Sequence, residues 1–332
     1  MKLPFEFGVK LFFRILLPGF FLTVGLSPVL FTLWDWVGQT FHPYGIRDEI
    51  AFALIVILMG WVILICDMPI YMLFEGRRFW PKPIRSWFLK SEEKRLRSIK
   101  DILKTIDEND NRYIEASVEL RTFPIDEDGE YVVRYPSRLG NLIMAYETYS
   151  NRMYGMSGVF YWNRIWLKLD KDVRDDLDAY QAVADSSIYT SFALFIDGLL
   201  CIVYAMTSMF PMFHVLFPKY FPSPVTLLSM SFMCFIFAYG IYVLSLYVQE
   251  QFGGLIKSMF DVHRTKIDEN ISAILDEIID ITGDPSLRKR PRREKYSIVS
   301  YYLNYYRVLC PECNDYLPPL TVKTHLKSPS CD

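Results

Sequence analysis

Four long stretches almost without charge constrain this chain more than any other feature. Tyr220 to Gln249 contains no Asp, Glu, Lys or Arg across 30 residues. Ile15 to Trp34 is equally free over 20, Ala51 to Phe74 carries only Asp67, and Ser186 to Pro218 carries only Asp197. About 20 apolar residues in helical form cross a hydrocarbon layer roughly 30 Å thick, so each stretch is long enough to be a span. Of 332 residues, 52% are hydrophobic and 22% charged, with a net charge of −2. That balance argues against an ordinary soluble enzyme, a disordered chain and a globally basic nucleic-acid binder.

The expected fold is therefore an all-α membrane protein with four transmembrane helices, a mainly helical cytoplasmic insert with a small hairpin, and a C-terminal zinc-binding module. Residues 1–76 form the first transmembrane hairpin, 77–185 the insert, 186–249 the second hairpin, 250–284 an acidic helix, and 285–332 a basic segment with the metal module. Pro18, Gly19, Gly25 and Pro28 in the first span predict a kinked helix, tolerated where neighbours pack against it. The lysines before that span lead into no small-residue cleavage pattern, which predicts an uncleaved anchor. Lys2, Lys10 and Arg14 precede span one and Arg77, Arg78, Lys82 and Arg85 follow span two, against Arg47 and Lys219 in the opposite loops. This asymmetry predicts a multi-pass protein of the inner (plasma) membrane with both termini in the cytoplasm.

Just after span two, Arg77 to Lys90 alternates bases with Phe79, Trp80, Trp87 and Phe88, which suits a lipid headgroup interface. Leu96, Ile99, Ile102, Leu103 and Ile106 recur at helical spacing and predict an amphipathic helix over Glu92 to Glu108. Asp128-Gly129 between β-prone stretches predicts a hairpin over Phe123 to Tyr135. Ser137 after Pro136 is a natural N-cap for the next helix, and Asp170 to Asp185 is helical in pattern and runs into span three.

Pro136-Ser137-Arg138-Leu139-Gly140-Asn141, then Asn151-Arg152-Met153-Tyr154-Gly155, then Trp162-Asn163-Arg164-Ile165 form a set of motifs. Here the chain resembles an uncharacterised group of bacterial inner-membrane proteins whose cytoplasmic insert carries P-[ST]-R-L-G-N, R-x-Y-G and W-x-R-[LI]. The second motif departs from the shorter R-Y-G form. The resemblance implies paired spans around a cytoplasmic insert and supplies no activity. Arg138, Asn141, Arg152 and Arg164 have the chemistry to line a site for an anionic ligand. The competing reading is that they cap helices and pair with Glu147, Asp170 or Asp172.

An acid inside a span costs roughly 2.5–3.5 kcal/mol on insertion scales, so Asp67 and Asp197 are candidate functional groups. Each lies about 15 Å from its cytoplasmic end by helical rise, which allows them to meet as a proton relay or cation site. Against this stand hydrogen bonds from Tyr71, Ser191 or Tyr204, or Arg14 reaching in from span one.

Past span four, Phe260, Ile267, Ile271, Ile274, Ile278 and Ile281 trace the seam of a short coiled coil. Self-association as a homo-oligomer and docking on the chain's own insert are equally open. Arg288, Lys289, Arg290, Arg292, Arg293 and Lys295 then form a basic patch suited to anionic lipid, to the acidic helix before it, or to nucleic acid. Cys310, Cys313, His325 and Cys331 follow the spacing C-x2-C-x11-H-x5-C, that of a C2HC zinc finger. Four ligands close the sphere of a tetrahedral Zn2+, so the metal is expected to be structural. Leu317-Pro318-Pro319-Leu320 leaves too short a helix for sequence-specific base reading.

No nucleophile–base pair, phosphate loop or open metal site is evident. The leading expectation is a non-enzymatic, membrane-anchored sensor or scaffold. Its partners are membrane lipids and a cytoplasmic protein or ligand, with nucleic acid less favoured. The other is an oligomeric ion channel or proton-coupled translocator using Asp67 and Asp197.

Overall fold

A computed structural model of the chain describes residues 6–41, 48–208, 223–311, 315–319 and 321–322. They are helical almost throughout, with one two-stranded sheet. Contacts divide the chain into two units. One comprises Met1–Glu92, Tyr135–Gly140 and Asp175–Phe252, the other Glu93–Arg134, Asn141–Arg174 and Gly253–Asp332.

In the first unit, helix α1 (Glu6–Leu11) passes through a π-helical stretch, Phe12–Leu16, into α2 (Leu17–Phe41). The wide turn sits just before Pro18, whose ring excludes the carbonyl four residues back. The backbone N–H of Leu17 instead reaches Phe12, five residues back. Helix α3 (Asp48–Ile65) and α4 (Asp67–Phe74) meet at a 62° bend. Pro69 supplies the cause, because it cannot donate to Ile65 and its ring clashes there. Glycines let α2 and α3 touch backbone to backbone. A Cβ on Gly19 would strike Val56 and Gly60, and one on Gly60 would strike Ile15.

Helix α10 (Lys171–Thr207) is the buried helix of this unit, with 61% of its apolar window covered, whereas the window of α11 (Pro224–Thr282) is 17% covered. Serine hydroxyls stitch them: Ser191 donates to the Ala238 carbonyl and Ser231 to that of Gly198, each at 2.8 Å. Two helices are long and apolar enough to cross a membrane, or three if the bent α3–α4 pair is one span. The expected count of four is not reached among the described residues. Of the first span only the shorter stretch Phe12–Ser27 qualifies as apolar helix, and 209–222 lie outside them.

Helix α5 (Lys82–Thr105) begins ten residues before the expected Glu92, because Pro81 and Pro83 are compatible with a first turn. It absorbs the Lys82 to Lys90 part of the base-and-aromatic stretch, leaving Trp87 exposed. In the second unit its Leu96 and Ile99 pack with Ala116 of α6 (Asn111–Leu120) and with Phe123. The expected hairpin over Phe123 to Tyr135 reduces to one bridge, Ile125 to Tyr131. There the Asp126 carboxylate accepts from the backbone of Asp128 and Glu130 and holds the turn without a ladder. Ser137 caps α7 (Arg138–Glu147) as expected, accepting from the Gly140 N–H at 2.9 Å. Helices α8 (Tyr149–Tyr154) and α9 (Gly158–Lys168) lead to α10.

The end of α11 carries the isoleucine seam, and Phe260, Ile267, Ile271 and Ile278 are buried within this single chain. These four seam positions are covered by the chain's own segments, as in the docking alternative, while Ile274 and Ile281 are half-buried. Gly283 at φ 69° ends the helix. Helix α12 (Arg292–Tyr305) returns over it, followed by the antiparallel pair β1 (Val308–Leu309) and β2 (Tyr316–Leu317).

Candidate functional site

The first unit holds a continuous polar network. Arg14 sits in the π-helical stretch and donates from Nε to Asp185 Oδ2 and from a terminal nitrogen to Asp178 Oδ1, both at 3.0 Å. Asp178 and Asp185 are seven residues apart on α10 and so share its face. Lys10 also pairs with Asp178. Tyr71 of α4 donates to Asp185 Oδ1 at 2.6 Å and accepts from Gln249 Nε2 at 3.0 Å. Arg14 thus bridges two acids, one of them shared with Lys10, while the second oxygen of Asp185 has its own neutral donor.

Asp67 opens α4 and accepts from the Tyr189 hydroxyl at 2.7 Å, and the rings of Tyr189 and Tyr71 meet edge to face at 6.4 Å. Asp197 lies eight residues beyond Tyr189 on α10, about 12 Å by helical rise. The two intramembrane acids therefore do not form the pair that their matching depth allowed. Asp197 is 4% exposed and faces α2, where a Cβ on Gly25 would overlap its carboxylate. Its Oδ1 is buried with no hydrogen-bond partner among the described residues.

The four insert residues expected to gather around an anion are engaged separately. Arg138 stands 4.0 Å from Glu92. Asn141 is fully buried, and its Oδ1 accepts from the Arg134 N–H at 3.0 Å. Arg164 stacks on Phe160 at 3.7 Å and donates to that residue's carbonyl. Arg152 alone lines a cavity, one of about 180 Å3 in the second unit, together with Arg121, Lys257, Tyr149, Phe123 and Tyr131. Two of its three cations were missed in the sequence because Arg121 and Lys257 fall on segments with no motif. Tyr149 donates to Asp261 at 2.9 Å, as does Tyr154 at 2.6 Å. Burial first, and then this carboxylate, push the Tyr149 hydroxyl well above its ordinary range.

The basic patch is largely paired within its own unit. Arg292 and Tyr296 both reach Asp268, and Arg288 reaches Asp276 at 2.9 Å. Arg293 approaches Glu127 at 3.3 Å and Arg290 approaches Glu294 at 3.5 Å. Lys289 and Lys295 carry no ion pair among the described residues. Tyr302 donates to Glu277 at 2.6 Å.

Of the four expected zinc ligands, Cys313, His325 and Cys331 lie outside the described residues. Cys310 is fully buried at the end of β1, its N–H bonded to the Asp315 carbonyl at 2.9 Å. Compared with protein-family models, curated proteins and solved structures, the chain matches none of them.

Proposed function

We propose that this chain is a non-enzymatic, membrane-anchored sensor or scaffold of a bacterial inner membrane. In this reading its apolar helices cross the membrane with both termini in the cytoplasm. The insert and a zinc-stapled tail engage a cytoplasmic partner. Cys310, Cys313, His325 and Cys331 would hold a structural Zn2+, whose chemistry is to cross-link the tail.

The observation that carries the reading is the turn at Cys310. Strands β1 and β2 pair Val308 with Leu317 and Leu309 with Tyr316, so Cys310 leads from β1 into the tip of a hairpin. The Cys310 N–H bond to Asp315 closes that tip, and Tyr316 stacks on Tyr301 of α12 at 4.0 Å. A hairpin this short is marginal alone, and a metal cross-link at its tip supplies the missing stability. Metal analysis of the purified full-length protein is expected to find one zinc per chain, lost in Cys313→Ser. Zinc absent from a protein purified without chelator would overturn the assignment.

Asp197 favours a second reading, an oligomeric proton or cation translocator, because a buried carboxylate oxygen with no hydrogen-bond partner among the described residues is expensive to keep inside a span. Proteoliposome flux abolished by Asp67→Asn with Asp197→Asn would support it. Absence of flux in the wild type would remove it.

A further inference from the structure

We infer that the cavity between Arg121, Arg152 and Lys257 is a binding site for a small phosphomonoester. This goes beyond the reading above and stands whether or not the tail holds zinc. Three cations and no acid line it among the described residues. Arg121 and Arg152 make no ion pair with a carboxylate there, in contrast to the arginines of the tail. Arg152 and Lys257 both lie over the ring of Tyr149, at 6.0 and 5.8 Å from its centroid. The Tyr149 hydroxyl is tied to Asp261, so the ring is held as a platform that positions both charges.

The guanidiniums of Arg121 and Arg152 line one cavity, and a dianion between them offsets their repulsion. Arginine offers a planar fork of donors that matches phosphate oxygens, and lysine adds a compact charge. The lining also has apolar members: Phe123 is 1% exposed and Tyr131 packs against the same cluster. A bare inorganic phosphate would leave these uncontacted, whereas an ester presents an organic group to them. The volume of about 180 Å3 falls below the roughly 300–1,000 Å3 of drug-sized pockets, which limits the ligand to a headgroup or a small metabolite. A lipid phosphomonoester headgroup and a soluble phosphate ester share this chemistry.

The test uses the full-length protein in phosphatidylcholine nanodiscs, titrated calorimetrically with phenyl phosphate. Saturable binding is expected, weakening as salt rises. The Arg121→Gln, Arg152→Gln double variant should lose affinity by about tenfold or more, the scale of one lost charge-assisted hydrogen bond. Arg164→Gln, on a side chain stacked away from the cavity, should bind as the wild type. If the double variant fails to fold by circular dichroism, Lys257→Gln and Arg152→Lys replace it and should each weaken binding. Nanodiscs with about one-tenth phosphatidic acid separate the sources. Loss of phenyl phosphate binding there assigns a lipid headgroup, and unchanged binding assigns a soluble ester. No saturable binding in the wild type, equal affinity in the cavity variants, or tighter binding of succinate than of phenyl phosphate would overturn the proposal.

Discussion

Arg14 and Asp185 stand 171 positions apart and meet at 3.0 Å between Nε and Oδ2. The Asp185 side chain is 8% exposed and that of Arg14 is 21% exposed, so each depends on the other for the solvation that burial removes. The same guanidinium also holds Asp178. It therefore ties α10 to the π-helical stretch, and Tyr71 ties α4 to α10 through the same carboxylate.

Removing Arg14 leaves Asp185 buried without its cation and Asp178 with Lys10 alone. Arg14→Met is expected to destabilise the protein by roughly 3 kcal/mol, the scale of a broken buried pair. Adding Asp185→Asn should recover part of the loss. Thermal unfolding in detergent would show it, and an unchanged midpoint in Arg14→Met would mean that the pair contributes nothing net.

Gly25 is a place where α2 admits a side chain from α10. Gly25→Ala should cost about 1–3 kcal/mol through overlap with the Asp197 carboxylate. Gly25→Ala with Asp197→Ala should be at least as stable as the single variant. A single variant as stable as the wild type would show that Asp197 moves aside freely.

Asp268 accepts from both Arg292 and Tyr296, so it anchors α12. Asp268→Ala leaves the buried Tyr296 hydroxyl without its acceptor, at a cost of about 1–3 kcal/mol. Faster amide exchange across Arg292–Tyr305 and earlier tryptic cleavage at Arg292 or Arg293 are the expected signs. Exchange that stays as slow as in the wild type would place the anchoring elsewhere.

Zinc chelation is expected to raise amide exchange in Val308–Leu317 while leaving the centre of α10 protected, because the hairpin has two paired residues per strand to hold it. Exchange insensitive to chelation would count against a metal at the tip.

Trp87 is 67% exposed beside Phe88, their rings 4.7 Å apart. If α5 begins in the headgroup layer, brominated lipid should quench Trp87, and Trp87→Phe should remove more of the total quenching than Trp166→Phe does. Equal losses would separate α5 from the bilayer surface.

Local chemistry was enough, from sequence, to establish what depends on neighbours along the chain. The apolar runs announced a helical membrane protein because about 20 residues without charge have few other uses. Ser137 was legible as a cap because its partner is three residues away, and the continuity of Asp170 to Asp185 with the following span needed only helical periodicity. The isoleucine seam was legible as a buried face, but its occupant was not. A partner helix and the chain's own segments present the same apolar chemistry, and only the fold buries Phe260, Ile267, Ile271 and Ile278 within one chain.

Tertiary structure alone decided which charges meet. Counting residues gives Asp67 and Asp197 the same depth, yet Asp67 meets Tyr189 and Asp197 lies eight residues farther along α10 against α2, because position follows from how α4 bends at Pro69 and how α2 crosses α10. Arg121, Arg152 and Lys257 come from three separate segments and share one cavity, a convergence that no spacing along the chain encodes. Side-chain partners at long range depend on the relative rotation of packed helices, which a linear pattern leaves free.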